Sequence, residues 1–139
     1  MHKLSLLMLP LLLTLGGCSG ELSVEDPWVR AAPPGAGMTA GYLTLKNASG
    51  SKATLVGASS DSFDDVSLHE TRVENGTSKM RYISALTVPD EGTAEFAPGG
   101  RHLMLFGVTS LGQALDMQLR FADGSSQTST FRQIAIGAQ

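Results

Sequence analysis

The chain has 139 residues, of which 17% are charged and 42% hydrophobic, and a formal net charge of −3. That length suits a single hydrophobic core, and the composition is that of a folded domain, which excludes a disordered chain. The slightly acidic balance lacks the clustered Lys and Arg of nucleic-acid binders, so no nucleic-acid partner is expected.

The first 17 residues predict a secretory signal peptide. Lys3 precedes an apolar run over residues 4–15, which is the usual order of such a segment. The run ends in Leu15-Gly16-Gly17-Cys18, which resembles a bacterial lipobox, where the cysteine is lipidated and becomes the first residue of the mature protein. We therefore expect residues 1–17 to be removed and Cys18 to carry a lipid anchor.

Cys18 is the only cysteine in the sequence, so the rest of the chain has no thiol for a disulfide or a metal. Small polar residues follow it, and we interpret residues 18–25 as a lipidated tether and 26–139 as one β-domain. The protein is expected on the periplasmic side of a bacterial membrane. If the organism is Gram-negative, Ser19 after the cysteine favours the outer membrane.

Beyond the tether, turn clusters such as Asn75-Gly76 and Pro98-Gly99-Gly100 separate short segments of strand character. No apolar period of 3.6 residues persists for three turns. The fold class is therefore predicted to be all-β, a Greek-key sandwich or small barrel. The predicted strands are residues 27–32, 39–46, 54–58, 65–73, 78–88, 93–97, 102–108, 115–121 and 128–134.

Alternation along one of these strands assigns its faces. In the segment His102-Leu103-Met104-Leu105-Phe106 the two leucines share one side and His102 and Met104 share the other. If the leucines belong to the core, His102 and Met104 point away from it.

Asn75-Gly76 predicts a tight hairpin, because a type I′ turn needs positive φ at both central residues. Counting back from this turn pairs Thr71 with Met80 and His69 with Tyr82. His69 and Met80 are then diagonal neighbours on one face, with Cα atoms about 7–8 Å apart. The register alone brings an imidazole and a thioether together.

The two His–Met pairs can close one four-coordinate metal site if their strands are adjacent. Thioethers are soft ligands that favour Cu(I), whereas zinc normally takes Cys or a third His, and a blue-copper site needs a Cys thiolate. No repeating acidic pattern indicates calcium or magnesium. The residues therefore predict a Cu(I) site made by His69, Met80, His102 and Met104.

The spacing His-x10-Met-x21-His-x-Met of these four residues resembles the motif of the PCuAC family of periplasmic copper chaperones. Thr71 stands where many members carry a methionine. The resemblance implies a cupredoxin-like Greek-key β-barrel that binds one Cu(I) and passes it on, typically toward the copper centre of a haem-copper oxidase. Blocks similar to those of the family, in the same order, are residues 28–31, 40–45, 68–70, 79–81 and 98–105.

These observations predict a monomeric, extracytoplasmic copper(I) chaperone with an exposed rim site that acid weakens. Its recipient would be the copper subunit of cytochrome oxidase or a thiol-bearing copper chaperone. Two alternatives stay open: a copper buffer or resistance lipoprotein without an oxidase target, and a structural lipoprotein that binds no metal. An enzyme is not expected, because there is no Ser/His/Asp set, no third histidine in the mature chain and no cofactor loop.

Overall fold

The computed structural model describes residues 20–108, 112, 114–135 and 137, and the regular structure of these residues is entirely β. Among them there is no helix with the length and apolar character needed to cross a membrane. The all-β prediction is therefore confirmed. The strands are β1 (Leu22–Arg30), β2 (Met38–Asn47), β3 (Ala53–Ser59), β4 (Asp65–Glu74), β5 (Thr77–Tyr82), β6 (Leu86–Val88), β7 (Thr93–Phe96), β8 (Arg101–Phe106), β9 (Ala114–Phe121) and β10 (Ser126–Ile134).

The first strand begins inside the segment that we interpreted as tether. Leu22 pairs with Asn47 of β2, and Leu22 and Val24 pack against the core. The expected tether over residues 18–25 is therefore wrong from Leu22 onward, because the alternating apolar side chains there gain more from burial than from solvation. A register shift between Glu25 and Trp28 lets the strand continue past Pro27.

The predicted strand over residues 78–88 is two strands in the structure. β5 pairs with β4, whereas β6 pairs with β3 at the other end of the strand order. A single straight strand cannot reach both partners, so the chain turns between Tyr82 and Leu86.

The hydrogen-bonded strands follow the order β5-β4-β8-β2-β1-β10-β9-β3-β6, and β7 also pairs with β2. The contact between β1 and β10 is parallel, and the other pairings are antiparallel. Strands from both halves of this order contribute to one buried cluster, which includes Leu68, Leu103, Leu55 and Leu119. The sheet therefore folds back on itself as a sandwich around one core.

The core decides which side chains of β8 face outward. Leu103 and Leu105 are fully buried in the cluster, and burying a leucine side chain stabilises a fold by about 1.5–3 kcal/mol. The alternation of a strand then puts His102 and Met104 on the opposite face of the sheet.

Candidate metal centre

The β4–β5 hairpin has the register that its turn predicts. Asn75 and Gly76 both have positive φ, 52° and 75°, as a type I′ turn requires. Thr71 lies opposite Met80, and His69 lies opposite Tyr82. This prediction is confirmed, and it puts His69 and Met80 on one face as diagonal neighbours.

Strand β8 lies beside β4, so the two His–Met pairs share one sheet. His69 is directly opposite His102, and Ser67 is opposite Met104. The two imidazole rings are 5.9 Å apart between centroids and inclined by 26°. Because bonds from a metal to an imidazole nitrogen are about 2.0–2.1 Å, one ion bound to both rings holds their centres about 5–6 Å apart. The histidines are therefore spaced as one shared ion requires.

The two methionines lie on either side of this histidine pair. Met80 is level with Thr71 and Met104 with Ser67, so each is two residues along the strands from the histidines, in opposite directions. That step is about 6.6–6.8 Å. Methionine has three rotatable bonds and can reach inward, but the two histidines are the donors that the backbone already brings face to face.

Burial differs sharply across the four residues. The exposed fraction is 6% for His102 and 9% for Met104, but 52% for Met80, and His69 is partly buried. The prediction of an exposed rim is therefore wrong for His102 and Met104. These two residues lie on β8, an interior strand with β4 on one side and β2 on the other.

The neighbours of His102 explain its burial and its orientation. On the β2 side Ala40 is opposite Met104 and Gly41 is opposite Leu103, and the next residue along β2 is the buried Tyr42. The Nδ1 of His102 lies 3.1 Å from the carbonyl oxygen of Gly100. Since a carbonyl only accepts, Nδ1 carries the proton and donates it, which leaves the Nε2 lone pair free for a metal.

His69 has different surroundings. Its Nε2 is 2.9 Å from the Ser67 hydroxyl, and the ring of Tyr82 meets it edge-on with centroids 5.9 Å apart. Partial burial, and secondarily the charge that His102 can carry, lower the pKa of His69 below its ordinary value of 6.5. A neutral imidazole, which is the form that binds metal, is therefore favoured in this position.

Ser67 and the Gly100 carbonyl contact the two histidines, and neither was predicted from the sequence. The available signal was position, since Ser67 and His69 are two residues apart and share a face of β4. Among the described residues no three His, Cys, Asp or Glu side chains form a possible metal site. Cys18, the predicted lipidation site, lies outside the described residues.

An all-β sandwich with two facing histidines and two methionines on one sheet face defines a domain of the PCuAC type, and solved structures agree. The copper-bound PCuAC domain from PmoF2 is 25% identical, with a TM-score of 0.70 over 84% of this chain and 95% of that one. The solution structure of DR1885 from Deinococcus radiodurans in its CuI form is 28% identical, with a TM-score of 0.69 over 89% and 85%. The predicted PCuAC-type, cupredoxin-like fold is confirmed.

Residues 22–132 match the model of the LpqE-like lipoprotein family, and the chain belongs to that family. Lxx21020 of Leifsonia xyli subsp. xyli, which is named as a lipoprotein, is 38% identical over 117 residues, or 81% of this chain and 69% of the relative. Residues 22–132, which match the family model, include all four residues predicted to bind copper.

Proposed function

We propose that this protein is a lipid-anchored, extracytoplasmic copper(I) chaperone, and that it binds one Cu(I) through His69, Met80, His102 and Met104. The observation that carries the proposal is the pairing of His69 with His102 across β4 and β8, with ring centres 5.9 Å apart. A copper-bound PCuAC domain and a CuI form of DR1885 among the similar structures support the same metal.

The donor set suits the metal and its oxidation state. Thioethers are soft and neutral, so they favour Cu(I) over harder divalent ions, and neutral imidazoles complete the coordination. A thioether also forms no disulfide in an oxidising compartment, although it can be oxidised to a sulfoxide. Such a set can hold Cu(I) outside the cytoplasm without a cysteine.

Release would begin at the exposed side of the site. A partner that offers thiolates first replaces the thioether of Met80, then the imidazole of His69, since thiolates bind Cu(I) more strongly than either. Each exchange forms one Cu–S bond and breaks one Cu–ligand bond, and an incoming thiol releases its proton to solvent as it binds. Copper stays Cu(I) throughout, so the transfer needs no electron donor. His102 and Met104 release the ion last.

The proposed location follows from Cys18 and the family. A lipid on Cys18 would hold the domain at the periplasmic side of a bacterial membrane, and Ser19 favours the outer membrane in a Gram-negative organism. We propose that the protein acts as a monomer and not as an enzyme. The recipient is the copper subunit of cytochrome oxidase or a thiol-bearing copper chaperone.

A Cu(I) titration against a competing chelator tests the site, using the mature chain with Cys18→Ser so that it stays soluble. We expect one equivalent of Cu(I), and loss of that binding in the double variant His102→Ala, Met104→Ala. Met117→Leu is the matched control, because Met117 is buried in the core and the swap nearly conserves its volume. Unchanged Cu(I) binding by the double variant would overturn the assignment.

A copper buffer is the second candidate, and the burial of His102 and Met104 favours it, because a buried pair retains metal. Copper-dependent rescue of oxidase assembly in a strain that lacks the gene separates the two functions. Rescue by the intact protein, but not by the double variant, supports delivery. Normal oxidase assembly in the deletion strain under copper limitation favours the buffer.

A further inference from the structure

Ser67 makes a contact that the proposed ligand set does not use. It lies on β4 two residues before His69, on the same face, and its Oγ is 2.9 Å from Nε2 of His69. The serine is partly buried, directly opposite Met104. Its hydroxyl is thus held against a histidine at the centre of the site.

The two imidazoles are engaged at different ring nitrogens. His102 donates from Nδ1 to the Gly100 carbonyl, whereas His69 meets Ser67 through Nε2. Within the described part of the chain, the nitrogen that makes no such hydrogen bond is Nε2 in His102 and Nδ1 in His69. A neutral imidazole carries one proton and one lone pair, so the nitrogen that holds the proton decides which nitrogen can bind a metal.

We propose that Ser67 is a positioning residue that keeps the proton of His69 on Nε2, so that Cu(I) binds Nδ1 of His69 and Nε2 of His102. The inference rests on the proposed Cu(I) binding and adds the choice of donor atom. The Ser67 oxygen accepts the hydrogen bond from Nε2–H, in the same way that the Gly100 carbonyl accepts from His102. Groups of this kind orient the metal-binding histidine and raise the basicity of its free nitrogen.

If Ser67 donated to His69 instead of accepting, removal of its hydroxyl would have a different effect on the Cu(I) affinity. If the Ser67 hydroxyl donated to Nε2, it would occupy the lone pair, and copper would have to break that hydrogen bond to bind there. Removal of the hydroxyl would then leave the Cu(I) affinity unchanged or raise it. If Ser67 accepts, removal lowers the affinity, by about 10–100-fold for a lost partner of a metal-binding histidine. The sign of the change separates the two arrangements.

Long-range ¹H–¹⁵N NMR of the histidine rings in the mature Cys18→Ser chain reads the tautomers directly, because closed-shell Cu(I) leaves the spectra sharp. In the Cu(I)-loaded protein we expect the proton on Nε2 of His69 and on Nδ1 of His102. Ser67→Ala should lose the fixed tautomer of His69 and about 10–100-fold in Cu(I) affinity. Ser67→Thr, which keeps the hydroxyl, should restore both.

Ser78→Ala is the matched control, because Ser78 is exposed on the neighbouring strand β5, opposite Val73. It should change neither the tautomer nor the affinity. Coordination of His69 through Nε2, or an unchanged tautomer and affinity in Ser67→Ala, overturns this inference while the copper site stands. Failure of the unsubstituted chain to bind Cu(I) overturns the proposed function itself.

Discussion

The two halves of the candidate site differ in how the fold holds them. His102 and Met104 lie on the interior strand β8 and are buried, whereas Met80 lies on β5, the edge strand, all of whose residues are exposed. An interior strand has partners on both sides, while β5 has only β4. If the four residues bind copper as proposed, the buried half would retain the ion and the exposed half is the side that a partner can reach.

Beyond its backbone pairing with β4, the exposed strand β5 makes ion pairs at the surface. Arg81 and Lys79 both pair with Glu74, and their hydrogen bonds and charge, with Arg81 contributing most, lower the pKa of that carboxyl. Exposed ion pairs of this kind are weakly stabilising. Regions with few buried apolar contacts open most easily, so the exposed half of the site is also the half that the fold holds least firmly.

The largest expected effect is that of His102→Ala. It removes a proposed ligand, while the Gly100 carbonyl keeps its other donor, the Thr71 backbone N–H. Cu(I) affinity should fall by more than the roughly 100-fold typical of a lost supporting group. The free energy of unfolding should fall by about 0.5–3 kcal/mol, because the substitution leaves a cavity where the buried ring of His102 lies. Chelator competition and denaturant unfolding measure the two quantities.

His69→Ala is the matched substitution in the hairpin. It should cost less stability than His102→Ala, because His69 is partly exposed and its hydroxyl partner can turn to solvent. Equal losses of stability in the two variants would contradict the asymmetry between the halves of the site.

Substitutions of the two methionines should affect the Cu(I) affinity and the rate of Cu(I) transfer differently. Met104→Leu conserves volume, so the fold should lose less than about 1.5 kcal/mol, while Cu(I) affinity drops clearly. Met80→Leu should lower the Cu(I) affinity less, because the side chain of Met80 is half exposed to solvent. It should change the rate of transfer to a thiol-bearing acceptor more than Met104→Leu does. Stopped-flow transfer to such an acceptor, beside equilibrium titration, gives both numbers.

Protonation of His69 should destabilise the fold and weaken Cu(I) binding at a lower pH than protonation of a histidine with the ordinary pKa would. Its pKa lies below 6.5 because of partial burial first and the charge of His102 second. The folded protein therefore binds fewer protons than the unfolded chain, so the His69 contribution to stability is full above pH 6.5 and is lost as the pH falls through the lowered pKa. Cu(I) binding should weaken over the same acidic range. An NMR titration of His69 measures the shift, and a midpoint at or above 6.5 would contradict it.

Glu74→Gln should have the smallest effect. The carboxylate is exposed, and its pairing with Arg81 and Lys79 stabilises only the hairpin. We expect Cu(I) affinity to stay unchanged and hydrogen exchange of the β5 amides to become faster. A large loss of affinity would mean that the hairpin ion pairs position Met80.

Much of the site could be predicted from the sequence because its signals are local. A two-residue Asn75-Gly76 turn sets the β4–β5 register, and the alternation of His102, Leu103 and Met104 sets the face of β8. Each depends on backbone geometry within a few residues. Strand ends were predicted less well, because Leu22 and Leu86 pair with residues distant in sequence, Asn47 and Leu55.

The sequence by itself therefore determined the all-β class and the hairpin register, and it predicted the His/Met donor set with its preference for Cu(I). The tertiary structure alone decided that β4 lies beside β8, that His69 faces His102, and that His102 and Met104 are buried while Met80 is not. It also placed the Ser67 hydroxyl on His69. The physical reason is that strand adjacency and burial depend on which distant segments share the core, whereas turn geometry and side-chain alternation depend only on neighbouring residues.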